Sequence, residues 1–165
     1  MRRRCLEKRM RDLQRIRAIA NYQFESDVGS SLFPDEVDVA YSPRTGRIRQ
    51  ISLDGQLLAT LRPRDGLFSL AIAGAERLKA VLRPMQSRVV ARQEVADVIK
   101  SGRNLFARHV VTVDEGMKPG SEVMITTRDD ALLAVGKAVL SGGEMLVFKR
   151  GVAVKVRRGS EEAKA

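Results

Sequence analysis

Leu6, Met10, Leu13, Ile16, Ala20 and Phe24 recur at spacings of 4, 3, 3, 4 and 4, which at about 100° per residue places them on one face of a helix. Arg4, Lys8, Arg11 and Arg15 fall on the opposite side at spacings of 4, 3 and 4. The pattern predicts a long opening helix that is apolar on one face and basic on the other. Gly29, Ser30, Ser31 and Pro34 then read as loop, and the acidic Asp35, Glu36 and Asp38 read as turn and strand-edge solvation more readily than as a cation site. Residues 37–41 and 47–53 have strand character and are divided by Ser42-Pro43-Arg44-Thr45-Gly46, while Asp54-Gly55 is a strong hairpin signal. A second turn, Arg62-Pro63-Arg64-Asp65-Gly66, leads into a short apolar run at 67–72 and a helix over 73–82, which Arg83-Pro84 breaks.

After this point the rhythm changes. Val89 and Val90 suit a short strand, Val95 to Ile99 suit a helix stopped at Ser101-Gly102, and strands follow over 109–113, 122–127, 131–140 and 152–158. The intervening Lys118-Pro119-Gly120, Arg128-Asp129-Asp130 and Ser141-Gly142-Gly143 read as separators, and Gly136 inside an apolar strand marks a bulge or corner. Short strands with one early helix describe a small, partly closed barrel. The expected fold is therefore α+β. Residues 1–86 form an N-terminal domain of a long helix, a hairpin sheet and a second helix, residues 87–159 form a β pseudo-barrel, and 160–165 form a polar tail that frays.

Charge narrows the function. The 165 residues carry 30 Lys and Arg against 20 Asp and Glu, a net charge of +10, and a balance of this kind points to a polyanion, with nucleic acid foremost. Both parts share it, with 16 basic and 10 acidic side chains in residues 1–87 and 14 and 10 in 88–165. The first 17 residues hold eight basic and two acidic side chains. Positive charge at a helix N-terminus opposes the macrodipole, so the stripe does not serve the helix itself. Aromatic residues make up 4% of the chain. Phosphate and shape recognition of a structured RNA fits that composition better than base stacking on single strands.

Other chemistries find little support. The single cysteine, Cys5, forms no internal disulfide, and with the single histidine, His109, it cannot complete a Cys/His zinc cluster. No apolar run is long enough to suggest a transmembrane helix. The basic N-terminus lacks the apolar block of a secretory signal, and Glu7 and Asp12 argue against a mitochondrial presequence, so a cytoplasmic location is expected. Gly136-Lys137 lacks the upstream glycine and following hydroxyl of a phosphate-binding loop, and no nucleophile, base and acid converge. No catalytic residue, cofactor or metal is expected.

The stretch Ser101-Gly102-Arg103-Asn104-Leu105-Phe106-Ala107-Arg108-His109-Val110-Val111, then Pro119-Gly120, Leu133-Ala134-Val135-Gly136-Lys137-Ala138 and Gly151-Val152-Ala153-Val154-Lys155-Val156-Arg157, resembles a PUA domain. Upstream, residues 15–24, Leu32-Phe33-Pro34, residues 45–49 and 67–78 resemble the segment that precedes PUA in archaeal tRNA-guanine transglycosylases and archaeosine-pathway relatives. Together the resemblance spans about residues 12–159. It implies a module that grips the acceptor stem and 3′ end of tRNA while base exchange happens in a separate barrel. The chain is then an accessory to a tRNA-modifying enzyme, with a transglycosylase-like catalytic chain as a partner and no membrane involved. A ribosome- or translation-associated factor is the second reading. The residues expected at the RNA are Lys100, Gly102, Arg103, Asn104, Arg108, His109, Lys155 and Arg157, with Arg4, Lys8, Arg11 and Arg15 on the helix. Leu105 and Phe106 are expected to anchor the loop by packing inward.

Overall fold

The computed structural model describes residues 2–162, the side chain of Arg2 excepted. The chain folds as two compact units that part between Leu82 and Arg83.

In the first unit, helix α1 (Arg2–Gln23) and a short helix α2 (Gly29–Leu32) precede strands β1 (Asp38–Tyr41), β2 (Ile48–Leu53), β3 (Gln56–Leu61) and β4 (Phe68–Leu70), followed by helix α3 (Ile72–Val81). The four strands form an antiparallel meander in chain order. Asp54 and Gly55 sit at φ 50° and 78°, the left-handed pair that a two-residue hairpin requires. Ile48 and Ile51 are both buried although three apart. Strands alternate faces with period two, and this spacing becomes possible because Arg49 is an extra residue in β2, bulged between partners Ala40 and Tyr41 of β1. Phe33 and Phe68, both fully buried, meet with ring centroids 5.0 Å apart. Gln23 completes the junction as a side chain imitating a strand: its amide donates to the Phe68 carbonyl at 2.9 Å and its carbonyl accepts the Phe68 N–H at 2.7 Å.

Two features of this unit depart from expectation. Residues 29–32 are helical, not loop, because Asn21 Oδ1 accepts the N–H groups of Val28 and Gly29 and so holds the first turn. The apolar face of α1 is buried only at its C-terminal end. Ile16, Ala20 and Phe24 are in the core, but Leu6 and Met10 are 60% and 62% exposed. A 22-residue helix is about 33 Å long and outruns strands of at most six residues.

The second unit contains β5 (Arg88–Ala91), a 3-10 turn at Gln93–Val95, α4 (Ala96–Lys100), β6 (Leu105–Phe106), a 3-10 turn at Ala107–His109, β7 (Val110–Val113), β8 (Glu122–Thr126), β9 (Leu132–Ala138), α5 (Gly142–Val147) and β10 (Val152–Gly159). Its sheet runs β6-β10-β9-β8-β5-β7, antiparallel except for the β5–β8 pair. The two edge strands, β6 and β7, are joined by a single 3-10 turn, so the mixed sheet curls into a nearly closed barrel around Val89, Ile99, Leu105, Val123, Leu133 and Val154. Gly136 faces the register shift in β10, where an added Cβ would lie 2.3 Å from the Lys155 carbonyl oxygen. The expected irregularity is there, with the extra residue, Arg157, on the partner strand.

The stretch expected as a Ser141-Gly142-Gly143 separator instead opens helix α5. Ser141 accepts the Glu144 N–H through its side chain while the Glu144 carboxylate accepts the Ser141 N–H, a capping box. These bonds hold the Glu144 carboxyl below its usual range. The polar tail does not fray over 160–162: Ser160 donates to the Leu133 carbonyl and Glu161 to that of Lys100. Residues 163–165 lie outside the described residues.

Helix α3 reaches the sheet through Gly74, where an added Cβ would lie 2.0 Å from the Leu58 carbonyl oxygen. Gly74→Ala is therefore expected to destabilise the first unit by roughly 1–3 kcal/mol, since backbone must move to admit the methyl group. Urea denaturation checks this, and an unchanged midpoint would show that the helix can shift without loss.

Candidate nucleic-acid interface

The loop between α4 and β6 is built by backbone contacts. Gly102 ends the helix at φ 97°, a conformation that glycine adopts without strain, and donates its N–H to the Ile99 carbonyl at 2.9 Å. A Cβ here would also strike the Glu162 carboxylate, which accepts the Gly159 N–H at 2.8 Å. Glycine is needed here for the turn and for room. Arg103 projects from the loop exposed, and Lys155 stands exposed on β10. Arg108 is exposed too, its Nε donating to His109 Nε2 at 3.1 Å and its guanidinium 5.9 Å from the Phe106 ring centre. Among the described residues, no carboxylate neutralises Arg103, Arg108 or Lys155.

Several expected contacts have other work. Arg157 grips Glu122 with both guanidinium nitrogens, at 2.5 and 3.2 Å. Glu122 is fully buried and Arg157 35% exposed, so this arginine, expected at the RNA, compensates an interior charge. Asn104 accepts the Val156 N–H through Oδ1 at 3.0 Å, fastening the loop to β10. Lys100 lies 3.9 Å from Glu161. Only half of the expected apolar anchor exists: Leu105 is fully buried, but Phe106 is 43% exposed because the two-residue β6 points its side chains to opposite faces.

On α1, Arg4, Lys8, Arg11 and Arg15 are all exposed. They do not act as one stripe. Lys8 Nζ sits 4.3 Å from the centre of the Tyr41 ring, whose hydroxyl donates to Asp12 at 2.5 Å. Burial, reinforced by the Asp12 hydrogen bond and charge, pushes the Tyr41 phenol up to about 12, so at neutral pH it keeps the proton it donates. Arg15 belongs to a different feature, an open groove of about 470 Å³ that it lines with Arg44, Arg47, Arg49 and Arg62. Sequence reasoning assigned Arg44 and Arg47 to a turn and a strand start and missed this convergence. The signal was the shared Pro-Arg-x-Gly of residues 43–46 and 63–66.

A six-stranded mixed sheet curled into a nearly closed barrel defines the class. Residues 87–160 match the PUA domain, and the chain is a PUA-domain protein. Residues 14–84 match the patch-forming domain C2 of tRNA-guanine transglycosylase, so that across both units the chain resembles the PUA-containing C-terminal region of the archaeal enzymes. The tRNA-guanine(15) transglycosylase of Pyrococcus abyssi is 44% identical over 144 residues, 87% of this chain and 24% of that protein. Its counterpart in Pyrococcus furiosus is 44% identical over 149 residues, 90% of this chain and 25% of that protein. The chain thus spans about a quarter of the length of these curated relatives. A hypothetical protein of Pyrococcus horikoshii OT3 shares the fold with a TM-score of 0.73 at 23% identity, over 94% of this chain and 96% of that one. A conserved PUA domain protein from Thermoplasma acidophilum does so at 0.58 and 18%, over 92% and 89%. No helix among the described residues is long and apolar enough to cross a membrane.

The division between structural and available cations is testable. Arg157→Ala is expected to cost about 2–3 kcal/mol by stranding Glu122, somewhat less than for a pair buried at both ends because solvent reaches the guanidinium. Lys155→Ala is expected to stay within about 0.5 kcal/mol. Thermal melts of the two variants side by side decide it, and equal melting temperatures would refute the assignment.

Proposed function

We propose that this protein binds structured tRNA, at the acceptor stem and 3′ end, as a non-catalytic module serving a tRNA-modifying enzyme carried on another chain. The observation that carries this reading is the unneutralised set Arg103, Arg108 and Lys155 on the barrel whose family is a nucleic-acid-binding one. Guanidinium groups with no carboxylate partner are available for charge-assisted, bidentate bonds to phosphate. His109, with Nε2 accepting from Arg108, helps to hold that guanidinium. The identity to tRNA-guanine(15) transglycosylases directs the choice of RNA toward tRNA and of pathway toward archaeosine, and with these toward the cytoplasm. The non-catalytic part of the reading rests on what the carboxylates do: Glu122, Glu144, Asp130 and Asp12 are engaged by Arg157, Ser141, Arg88 and Tyr41.

Filter binding across a salt series tests the reading. Affinity for tRNA should fall steeply as salt rises, with about 0.7–0.9 added to the slope of log K against log salt for each phosphate neutralised. No tRNA binding at low salt would overturn the proposal, and equal affinity for heparin would reduce it to non-specific charge. Cross-linking should recover acceptor stems and 3′ ends, whereas recovery of ribosomal RNA would favour the translation-associated reading. Arg103→Ala with Arg108→Ala is expected to weaken tRNA binding by roughly 1–3 kcal/mol with little change in melting temperature. Phe106→Ala should leave stability nearly intact too, since its ring is already half in solvent, and parent-like tRNA binding by the double variant would show the loop to be structural.

A further inference from the structure

The first unit carries a second cationic feature that the PUA site does not use. The β1–β2 and β3–β4 connections are two copies of one turn. In each, a proline and an arginine are followed by a polar residue and a left-handed glycine, Gly46 at φ 67° and Gly66 at φ 69°. In each, the glycine N–H donates to the carbonyl four residues back, Ser42 at 2.8 Å and Arg62 at 3.0 Å. That first residue in turn donates to the carbonyl after the glycine, both at 2.8 Å. The polar residue also has one role in both: Thr45 Oγ1 accepts the Arg47 N–H, and Asp65 Oδ1 the Leu67 N–H. In a meander these two hairpins fall at the same end of the sheet, and both line the groove that Arg15 of α1 completes.

The copies differ where charge is concerned. Asp65 neutralises Arg62 at 3.0 Å, whereas its counterpart Thr45 brings no charge. Among the described residues, Arg15, Arg44, Arg47 and Arg49 have no ion pair, while Arg9, Arg17 and Arg77 on the same unit bond protein oxygens. Arg49 owes its place to the β2 bulge, a device that re-aims a side chain. Four like charges converging on one open groove repel one another, and a helix, a turn and a bulged strand hold them there. No aromatic side chain lines the groove, which leaves charge and fork geometry to do the recognising.

We propose that this groove seats a run of RNA phosphodiester backbone, with Arg15, Arg44, Arg47 and Arg49 as the phosphate ligands. The inference rests on the RNA-binding reading above and adds a second, separately removable contact. Four guanidinium groups distributed over a helix, a turn and a bulged strand match an extended polyanion better than one small anion.

The test uses the full chain and a tRNA transcript. The Arg44→Ala/Arg47→Ala/Arg49→Ala variant should bind with a salt slope lower by about two to three units than the parent, and should lose a set of protected phosphates in hydroxyl-radical footprinting. The Arg103→Ala/Arg108→Ala variant should keep that set. Lysine at the three groove positions should restore most of the slope, which a folding defect would not allow. An unchanged slope and footprint in the alanine variant would overturn the groove alone. A parent without tRNA affinity would overturn the RNA reading and the groove with it. Saturation of the groove by inorganic pyrophosphate without displacement of tRNA would make it a small-anion site instead.

Discussion

The loop between α4 and β6 is held by a contact between two stretches of main chain. At Gly159 an added Cβ would lie 2.0 Å from the Lys100 carbonyl oxygen and 2.7 Å from the Gly102 nitrogen. The last residue of β10 therefore lies flush against the end of α4, and any side chain there would prise them apart. Around this contact the local bonds line up. Gly102 turns the chain, Glu161 donates to the Lys100 carbonyl, Glu162 accepts from Gly159, and Asn104 fastens the loop to Val156. The loop can carry Arg103 into solvent without becoming floppy, because its backbone is fixed on both sides. A phosphate-binding surface benefits from that order, since a loop already immobile loses little conformational entropy when its ligand arrives.

Most of the fold was legible in the sequence because its elements announce themselves locally. The Asp54-Gly55 hairpin, the proline after α3 and the short strands of the barrel need no distant information. The elements that escaped notice depend on partners far along the chain or on reading one signal before another. Helix α2 exists because Asn21 reaches forward to it. Helix α5 was hidden by a double glycine, although Ser141 and Glu144 have the spacing of a capping box. Leu6 and Met10 carry the same periodicity as Ile16 and Ala20, and periodicity reports which face is apolar without saying how far a neighbour extends to cover it.

The candidate site was less legible than the fold for a related reason. A list of arginines says nothing about which of them are already answered by carboxylates. Arg157 and Lys155 are two apart on β10 and look alike in the sequence, yet Arg157 is held by buried Glu122, thirty-five residues away along the chain. Glu122 stands in register with Lys137 of β9, and Lys137 with Lys155 of β10, so acid and lysine share a face of the sheet, yet it is the Arg157 side chain that reaches the acid.

The two units share one device. In each, an arginine is the extra residue of a bulge: Arg157 in β10 and Arg49 in β2. The outcomes differ because only one bulge meets an acid. Arg157 finds Glu122 and closes an interior charge balance, so its removal is a stability effect. Arg49 meets Arg15, Arg44 and Arg47 in the groove, where the protein supplies repulsion. A buried pair is self-contained, but a cluster of one sign is incomplete until an anion from outside joins it. For this chain, whose net charge is +10, the useful distinction among its described basic residues is therefore which of them no carboxylate neutralises, and by that measure Arg103 and Arg108 on the barrel and Arg15, Arg44, Arg47 and Arg49 in the groove stand together.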